Sequence, residues 1–340
     1  MARRIFLTAR QTNLVLEVAM VSVIATGLIS WLVPLSSARV VTVIHAILGL
    51  FVVAVAPFKV RGSARTGFKR KSRTRFASAA FGAIVVGAIA AGILHSTGVF
   101  FGTGFGTPLW YHLFLGILAI PVLAWHIWTR PVRPKPIDLN RRGLITTGVG
   151  GVLASAALVT QEVVLDATGV KGADREGTGS IETASFEPAN MPEVSWFNDQ
   201  IPTGVSVPLW PLRIGGVTVS VLDDLIPNAR TIQARIDCTG GWFSVQDWDA
   251  VPLSELIERN DTARSVRVRS VTGYSRLFPI EYLDDLFLAT GYGGEPLRLG
   301  HGAPVRLVAP NRRGFNWVKW VREIELSERP AWLQSPYPLS

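Results

Sequence analysis

The chain has 340 residues, of which 48% are hydrophobic, and a formal net charge of +9. The basic excess lies in short stretches between apolar runs. Eight Lys or Arg and no acid fall between Lys59 and Arg75, whereas residues 143–340 hold 17 basic and 23 acidic side chains. This distribution argues against a nucleic-acid groove, and the single cysteine excludes an intramolecular disulfide.

Four long apolar runs occupy the first half of the chain, and each is near the roughly 20 residues that cross a bilayer. A fifth run is weaker and rich in Gly, Ala and Thr. The runs cover residues 12–34, 39–57, 76–95, 108–129 and 143–161. We therefore predict an all-α transmembrane bundle of five helices in residues 1–165.

Basic loops predict the orientation of this bundle. The N-terminus and the loops after the second and fourth runs are rich in Lys and Arg, while the loops after the first and third runs are nearly uncharged. Positively charged loops stay in the cytoplasm, so a multi-pass protein of the plasma membrane with an extracytoplasmic C-terminal half is expected. Arg141-Arg142 resembles a twin-arginine export signal. A simple basic stop before a helix is the alternative interpretation.

Histidines inside apolar runs are costly and usually functional. His45 and His112 each begin an H-x-x-x-G pattern a few residues from the predicted outer end of a run. A small residue one turn along lets a flat macrocycle approach the helix, as bis-histidine ligation of a b-type haem requires. We predict one haem b held by these two histidines. Helix contacts or a proton path are the alternative roles.

Two further histidines are less favoured ligands of the haem iron. His126 follows His112 by 14 residues, which places it on nearly the same face and roughly 21 Å further in. The spacing resembles that of two-haem, four-helix b-type cytochromes, but the position 14 after His45 is Lys59. An inner haem is therefore not expected. His95, at the outer end of the third run, is an alternative outer ligand.

The second half of the chain has a different pattern. Residues 166–205 are polar and rich in Gly, Glu, Pro and Thr, which predicts an extracytoplasmic tether. Short β-type runs separated by turn residues predict an α+β, mostly β, domain in residues 206–340. Strands are predicted at 212–214, 217–221, 231–236, 265–271, 305–308 and 317–326, and helical stretches at 252–259 and 280–290.

Two patterns about 60 residues apart stand out in this domain. The strand-like segment Ala234–Trp242 contains Cys238, and His301-Gly302-Ala303-Pro304-Val305-Arg306 is followed by Gly314 and Trp317-Val318-Lys319-Trp320. In this order they resemble the cysteine segment, the H-G-x-P-x-R segment and the G-x-x-x-V-K-W run of the sulfite oxidase family of molybdopterin enzymes. The resemblance spans about 205–328. It implies a sulfite-oxidase-like fold, a Mo-molybdopterin cofactor and an oxidoreductase activity.

The residue chemistry agrees with this resemblance. Molybdenum prefers soft thiolate ligands, and Cys238 is the only thiolate available; the resemblance implies that it holds the metal at the catalytic centre. A pterin phosphate needs donors and close backbone approach. The residues expected to provide them are His301, Arg306, Gly314, Asn316 and Lys319. An inert buried cysteine and basic side chains on a solvated strand face are the alternatives.

The residues after Cys238 depart from the family pattern. Animal and plant sulfite oxidases continue with basic residues, whereas this chain has Thr239-Gly240-Gly241-Trp242. The departure weakens the case for an anionic substrate such as sulfite, unless Arg276 or Arg312 approaches from elsewhere. Tryptophans 4 and 10 residues after the cysteine resemble the periplasmic protein-methionine-sulfoxide reductase branch, which works with a haem-b membrane partner that delivers quinol electrons.

These features predict a membrane-bound enzyme that couples oxygen-atom transfer at an extracytoplasmic molybdenum centre to electron transfer through a membrane b-haem. Reduction of a small-molecule or protein-bound sulfoxide, or of an N-oxide, is favoured. The quinone/quinol pool or another electron carrier is the expected redox partner, and no nucleic acid is expected. The alternatives are a sulfite-oxidising-type dehydrogenase that passes electrons to quinone, a non-catalytic membrane-tethered binding module, and a carrier with haem but no molybdenum.

Overall fold

The structure is a computed structural model that describes residues 7–69, 75–99, 106–129, 131–195, 199–203 and 209–338. The chain divides into two compact units. One consists of Met1–Val33 and Ser37–Ile181, and the other of Pro34–Ser36 and Glu182–Ser340. The segment predicted as a tether contributes to both units, and the domain boundaries at 165 and 205 stay predictions.

The first unit is helical. Its helices are α1 (Ala9–Ser30), α2 (Leu35–Lys69), α3 (Arg75–Thr97), α4 (Pro108–Thr129) and α5 (Arg141–Thr168). Within the described residues, all five contain a stretch long and apolar enough to cross a membrane. The prediction of five apolar helices is confirmed. The second helix continues beyond its predicted end at residue 57, even though that residue is a proline.

Polar caps fix the ends of two helices. Thr8 and Gln11 form a capping box at the start of α1. Asn140 begins α5 by accepting a hydrogen bond from the Gly143 amide at 2.8 Å. Gly169 ends α5 in the left-handed conformation, at φ 60°. Between the caps, apolar side chains of three helices share a core, whose buried members are Leu16, Ala19, Phe51, Val52, Val55 and Ala154.

The second unit is built on two sheets, the second of which is mixed. The strands are β1 (Ile181–Glu182), β2 (Arg213–Ile214), β3 (Val217–Thr218), β4 (Arg230–Cys238), β5 (Trp242–Pro252), β6 (Ser265–Ser270), β7 (Ser275–Pro279), β8 (Phe287–Tyr292), β9 (Glu295–Pro296), β10 (Arg306–Val308) and β11 (Val321–Ser327). One sheet has the order β1-β5-β8-β10, with β4 on β5 and β9 on β8. The other has the order β3-β2-β11-β6-β7, in which β2 and β11 are parallel.

The mostly β prediction for this unit is confirmed, but three local predictions are wrong. The helical stretch predicted at 252–259 is a 3₁₀ turn only over Leu253–Glu255. The helical stretch predicted at 280–290 is a 3₁₀ turn only over Ile280–Asp285, and it is followed by β8. This strand pairs with both β5 and β10 and is buried along most of its length. Near-continuous burial removes the alternation by which a strand is recognised. The strand predicted from residue 317 begins at Val321, after a 3₁₀ turn over Gly314–Asn316.

Candidate functional site

Cys238 lies at the tip of a long hairpin formed by β4 and β5. The two strands pair antiparallel from Arg230 with Ala250 up to Cys238 with Trp242. Gly241 in the intervening turn has φ 89°, a conformation that glycine adopts without strain. The hairpin thus ends by presenting the thiol on a tight turn of small residues.

The thiol of Cys238 is only partly buried, and its sulfur accepts a hydrogen bond from the Gly240 amide at 3.3 Å. Removal from water raises the pKa of the Cys238 thiol. The Gly240 amide and the charge of Arg313 partly oppose this rise. The protonated form is therefore favoured in the free protein. A metal ion would have to displace the proton in order to bind the sulfur.

A buried ion pair stands beside the cysteine. Arg313 donates to Oδ1 of Asp237 at 2.6 Å, and both side chains are almost completely excluded from solvent. The same guanidinium donates to the carbonyl of Cys238 at 3.4 Å. Sequence reasoning missed this pair, because Arg313 is 76 residues from its partner. In the sequence, only the pair Arg312-Arg313 before Gly314 pointed to a cation in this region.

The two arginines considered from the sequence lie elsewhere. The guanidinium carbon of Arg312 is 4.1 Å from the centre of the Tyr282 ring. Arg276 donates from Nε to Oδ1 of Asn316 at 3.2 Å and stacks over Phe315. The structure thus brings Arg276 to a predicted cofactor residue, Asn316, and brings neither arginine into contact with Cys238 among the described contacts.

Gly314 packs directly against the cysteine strand. A side chain at this position would place its Cβ 3.3 Å from Cα of Cys238 and 3.2 Å from the carbonyl oxygen of Asp237. The glycine therefore allows the turn carrying Asn316 to approach the thiol-bearing strand.

Arg306 is the most unusual side chain of the second unit. It is 1% exposed, and its guanidinium carbon lies 5.1 Å from the Trp248 ring centre and 5.6 Å from that of Trp317. It donates to the carbonyl of His301 at 2.9 Å, but its Nε has no hydrogen-bond partner within the described chain. No carboxylate among the described residues forms an ion pair with it. Burial lowers the pKa of Arg306 to about 9.

His301 is buried next to this arginine. Its Nδ1 lies 2.7 Å from the hydroxyl of Tyr292. The carbonyls of Met191 and Pro192 lie against the ring, but Nε2 makes no hydrogen bond of normal geometry in the described part of the chain. Burial, followed by the charges of Arg306 and Lys319, lowers the pKa of His301 to about 4. The imidazole is therefore neutral near pH 7.

Lys319 completes this group of basic residues. Its ammonium donates to the carbonyl of Val194 at 2.8 Å and to that of Gly300. Burial, followed by the charge of Arg306, lowers its pKa to about 8, while Asp199 and Glu193 act in the opposite direction. Backbone carbonyls, which carry only partial charge, thus take most of its hydrogen bonds.

The arrangement fits an anionic cofactor that carries a soft metal. Buried charges without a paired counter-charge are strongly unfavourable, and anionic oxygens are the natural partners of a buried arginine. The predicted residues His301, Arg306 and Lys319 lie together and would suit an anionic group. The same unit offers a thiol at Cys238 and close backbone approach at Gly314.

In the helical unit, the structure brings His45 and His112 together. Their ring centres are 5.7 Å apart, with the ring planes almost perpendicular at 88°. Nδ1 of His45 faces the carbonyl of Val23 at 2.9 Å, and Nδ1 of His112 faces that of Ala88 at 2.7 Å. A nitrogen that faces a carbonyl carries the hydrogen, so both Nε2 atoms have a lone pair free for a metal.

Glycines surround this pair of histidines in two ways. Cβ atoms at Gly27 and Gly92 would lie 3.0 Å and 2.9 Å from the rings of His45 and His112, so these glycines make room for the imidazoles. Cβ atoms at Gly49 and Gly116 would meet nothing within 4 Å. These two are the glycines of the H-x-x-x-G patterns, and they face open space as a flat macrocycle requires.

The remaining two predicted histidines have other neighbours. His95 is 6% exposed, and its Nε2 lies 2.9 Å from the carbonyl of Gly179. His126 stacks on Phe81, and its Nε2 is 3.5 Å from Nζ of Lys59. The structure thus pairs His45 with His112 and gives His95 and His126 separate environments.

Comparison with known proteins bears on the second unit. Residues 200–334 match the family described as "Oxidoreductase molybdopterin binding domain". The chain is 28% identical over 146 residues to the protein-methionine-sulfoxide reductase catalytic subunit MsrP of Xanthomonas axonopodis pv. citri, a match covering 35% of this chain and 45% of that protein. It is 26% identical over 235 residues to MsrP of Gluconobacter oxydans, covering 57% of this chain and 72% of that protein.

Among solved structures, the chain is similar to the sulfane dehydrogenase SoxCD from Paracoccus pantotrophus. The identity is 26%, the TM-score is 0.34, and the match covers 37% of this chain and 40% of that chain. The chain spans less than half the length of the Xanthomonas relatives that it matches. The family match supports a molybdopterin-binding domain of the oxidoreductase type in residues 200–334.

Proposed function

We propose that the chain is a membrane-bound, molybdopterin-dependent oxidoreductase that exchanges an oxygen atom with an S- or N-oxide outside the cell membrane and takes its electrons through a b-haem in the helical unit. The observation that carries the proposal is Arg306, a fully buried arginine without a carboxylate partner in the described chain, in the same unit as the only thiol. When bound, a molybdenum cofactor supplies two-electron oxygen-atom transfer and a b-haem supplies one-electron transfer.

Each basic residue has a distinct part in holding the cofactor. Arg306, whose guanidinium lies against two tryptophan rings, would donate to the cofactor from Nε. Tyr292, whose pKa is raised by burial, keeps its proton and donates to Nδ1 of His301. The hydrogen of His301 then lies on Nε2, where it is a donor to the cofactor. Lys319 would exchange carbonyl partners for anionic oxygens.

Cys238 would bind the metal through its sulfur. The ion pair beside it would fix the position of the end of β4. Asp237 and Arg313 tie the end of β4 to the segment before Gly314. Because Asp237 neutralises Arg313, this arginine adds little net positive charge beside the cysteine. A neutral sulfoxide or N-oxide suits that environment better than the sulfite anion, which favours reduction over sulfite oxidation.

The helical unit supports the haem part of the proposal. An imidazole nitrogen binds a transition metal at ~2.0–2.1 Å, so two imidazoles on one metal have ring centres about 6 Å apart. The observed 5.7 Å between His45 and His112 agrees with this value. Open space beside Gly49 and Gly116 would accept the macrocycle. His45 and His112 are the proposed ligands.

Basic loops and five apolar helices support the proposed location. In this arrangement residues 1–165 form the domain in the plasma membrane, 166–205 the tether, and 206–340 the extracytoplasmic cofactor domain. Quinol is the proposed electron donor, because it is the reductant that dissolves in the bilayer beside the helices. The MsrP relatives suggest a small-molecule or protein-bound methionine sulfoxide as the substrate.

The test uses the purified full chain in detergent. We expect molybdenum and pterin in the protein, a reducible b-type haem spectrum, and oxidation of reduced viologen by methionine sulfoxide or an N-oxide. Cys238→Ser should lower this turnover by more than about a hundredfold, because it removes a metal ligand. Thr231→Ala, at the exposed far end of the same strand, should not.

The outcomes separate the possible functions. Turnover of sulfite with ferricyanide, without sulfoxide reduction, would favour the dehydrogenase direction. A haem spectrum from protein that contains no molybdenum would indicate an electron carrier without a molybdenum site. Full function in Cys238→Ser would reject the molybdenum-ligand role and favour a non-catalytic module.

A further inference from the structure

We infer that an open cavity between α3 and α4 is the binding site for the head group of the quinol. The inference rests on the proposed function, which names quinol as the electron donor, and adds the place at which the quinol is oxidised. Ionisable side chains beside the cavity distinguish this site from a groove that holds only lipid.

The cavity has the size and lining of a small-molecule site. Its volume is about 350 Å³. The side chains around it include Ala80, Phe81 and Ile84 from α3 and Pro121, Val122 and Trp125 from α4. Small-molecule sites commonly measure about 300–1,000 Å³ and have apolar and aromatic walls with few polar groups. The cavity therefore suits a flat, mostly apolar ring such as the head group of a quinol.

The cavity lies near the ends of α3 and α4 that the basic loops assign to the cytoplasmic side. Ala80 is five residues after the first residue of α3, Arg75, and Trp125 is four residues before the last residue of α4, Thr129. Trp125, Ala80 and Pro121 are all exposed on the surface of the helical unit. A quinol dissolved in the bilayer can therefore enter the cavity from the side.

Phe81 connects the cavity to a cluster of ionisable side chains. Its ring lines the cavity, and the imidazole of His126 stacks on it with ring centres 6.0 Å apart and planes at 27°. Nε2 of His126 is 3.5 Å from Nζ of Lys59, whose charge acts in turn on the carboxylate of Glu17. Ionisable side chains inside a membrane are costly and mark proton or substrate paths. Three of them beside one cavity favour a ligand that releases protons over a lipid chain.

Pro121 provides an acceptor at the cavity wall. Proline has no N–H, so it cannot donate the usual helical hydrogen bond to the carbonyl of Ile117, four residues earlier on α4. Within a membrane, a carbonyl freed in this way is satisfied by a neighbouring polar group. A hydroxyl of the quinol is such a group, whereas the acyl chain of a phospholipid has no donor to offer.

Oxidation of one quinol at this site gives one quinone, two electrons and two protons. The b-haem of the proposed function is the one-electron acceptor. The protons go to the ionisable cluster, in which the carboxylate of Glu17 is the base, and from there to water on the cytoplasmic side. On α3, Ile84 at the cavity is eight residues from Gly92, whose Cβ would meet the His112 ring, and this separation is a rise of about 12 Å.

The first test locates a bound quinone by covalent labelling. The full chain in detergent is irradiated with azido derivatives of ubiquinone and menaquinone, and labelled peptides are identified by mass spectrometry. We expect labels within residues 77–84 and 121–125, lost on addition of unmodified quinone but not of phospholipid. Labels only elsewhere in the chain, or displacement by phospholipid, would overturn the inference. Labelling needs no haem, so the site is decided even if the haem of the proposed function is absent.

The second test fills the cavity. Ala80→Trp should lower the rate of haem reduction by decylubiquinol or menadiol at least about tenfold, because the indole takes the place of the head group. Dithionite, which needs no binding site, should reduce the haem as in wild type. Ala157→Trp is the matched control, since Ala157 is an exposed alanine on α5. Equal quinol-driven rates in both variants and wild type would overturn the inference. Slower reduction by dithionite as well would mean lost structure, and the labelling of wild type then decides.

Discussion

The two units of the chain bury polar groups in opposite ways. The helical unit contains half-buried imidazoles whose Nδ1 atoms face backbone carbonyls, so that Nε2 of His45 and of His112 keeps a lone pair. The mixed-sheet unit buries cations, of which Arg306 has no counter-charge in the described chain. An imidazole lone pair is suited to binding a metal ion, and a buried guanidinium is suited to binding an anion. The same rule, that buried polar groups need partners, thus favours chemically different ligands in the two units.

The mixed-sheet unit contains a second buried arginine, Arg313, with which Arg306 can be compared. Arg313 is as buried as Arg306, but it has Asp237 at 2.6 Å. One arginine is satisfied by the protein and the other is not. Changes at the two positions should therefore have opposite consequences for stability.

The largest expected effect is that of Asp237→Asn, which leaves the Arg313 charge buried without its partner. We expect the free energy of unfolding to fall by about 3 kcal/mol, measured by urea denaturation with tryptophan fluorescence. Asp237→Asn combined with Arg313→Met should recover part of the loss. An unchanged stability in the single variant would mean that the pair contributes nothing to the fold.

Replacement of Arg306 should do the reverse. Arg306→Met removes a buried charge that the cofactor-free protein cannot neutralise, so its free energy of unfolding should stay unchanged or rise by up to about 2 kcal/mol. Pterin and molybdenum content should fall about tenfold or more, because the charge-assisted donors are lost. A variant that is less stable yet keeps its cofactor would show that Arg306 serves packing alone.

In the helical unit, the prediction concerns the space beside the histidines rather than a buried charge. Gly116→Leu should fill the opening beside His112 and lower haem affinity about tenfold, since overpacking costs about 1–3 kcal/mol. Haem content is measured from the reduced-minus-oxidised absorbance. Gly148→Leu, on α5 and also without neighbours within 4 Å, is the control. Equal haem in both variants would place the macrocycle elsewhere.

The smallest effect is a dependence of stability on pH. Burial lowers the pKa of Lys319 to about 8 from 10.5 and that of Arg306 to about 9 from 12.5. Between pH 8 and 10.5 the unfolded chain therefore binds more protons than the folded one, so the cofactor-free protein should become more stable as the pH rises. Urea unfolding at pH 8, 9 and 10 tests the sign. In Arg306→Met the rise should be smaller.

Local patterns were sufficient for much of this description. Five apolar runs of about 20 residues gave five helices, although the end of α2 was placed too early. β8 was mistaken for the end of a helix, because a strand buried on both faces has no alternating pattern.

Contacts between distant parts of the chain could not be predicted from local sequence patterns. The sequence offered Arg276 and Arg312 as cations for the cysteine, but the strand pairing brings Arg313 to Asp237 instead. Likewise, the contact of His95 with the Gly179 carbonyl depends on where the segment carrying Gly179 lies.

The sequence by itself determined the apolar helices and the β character of the second half, because these depend on neighbours along the chain. Only the tertiary structure decided that His45 faces His112 and that Arg306 is buried without an acid. Those features depend on which helices and strands pack together, and packing sets both the partners of a polar atom and its exposure to water.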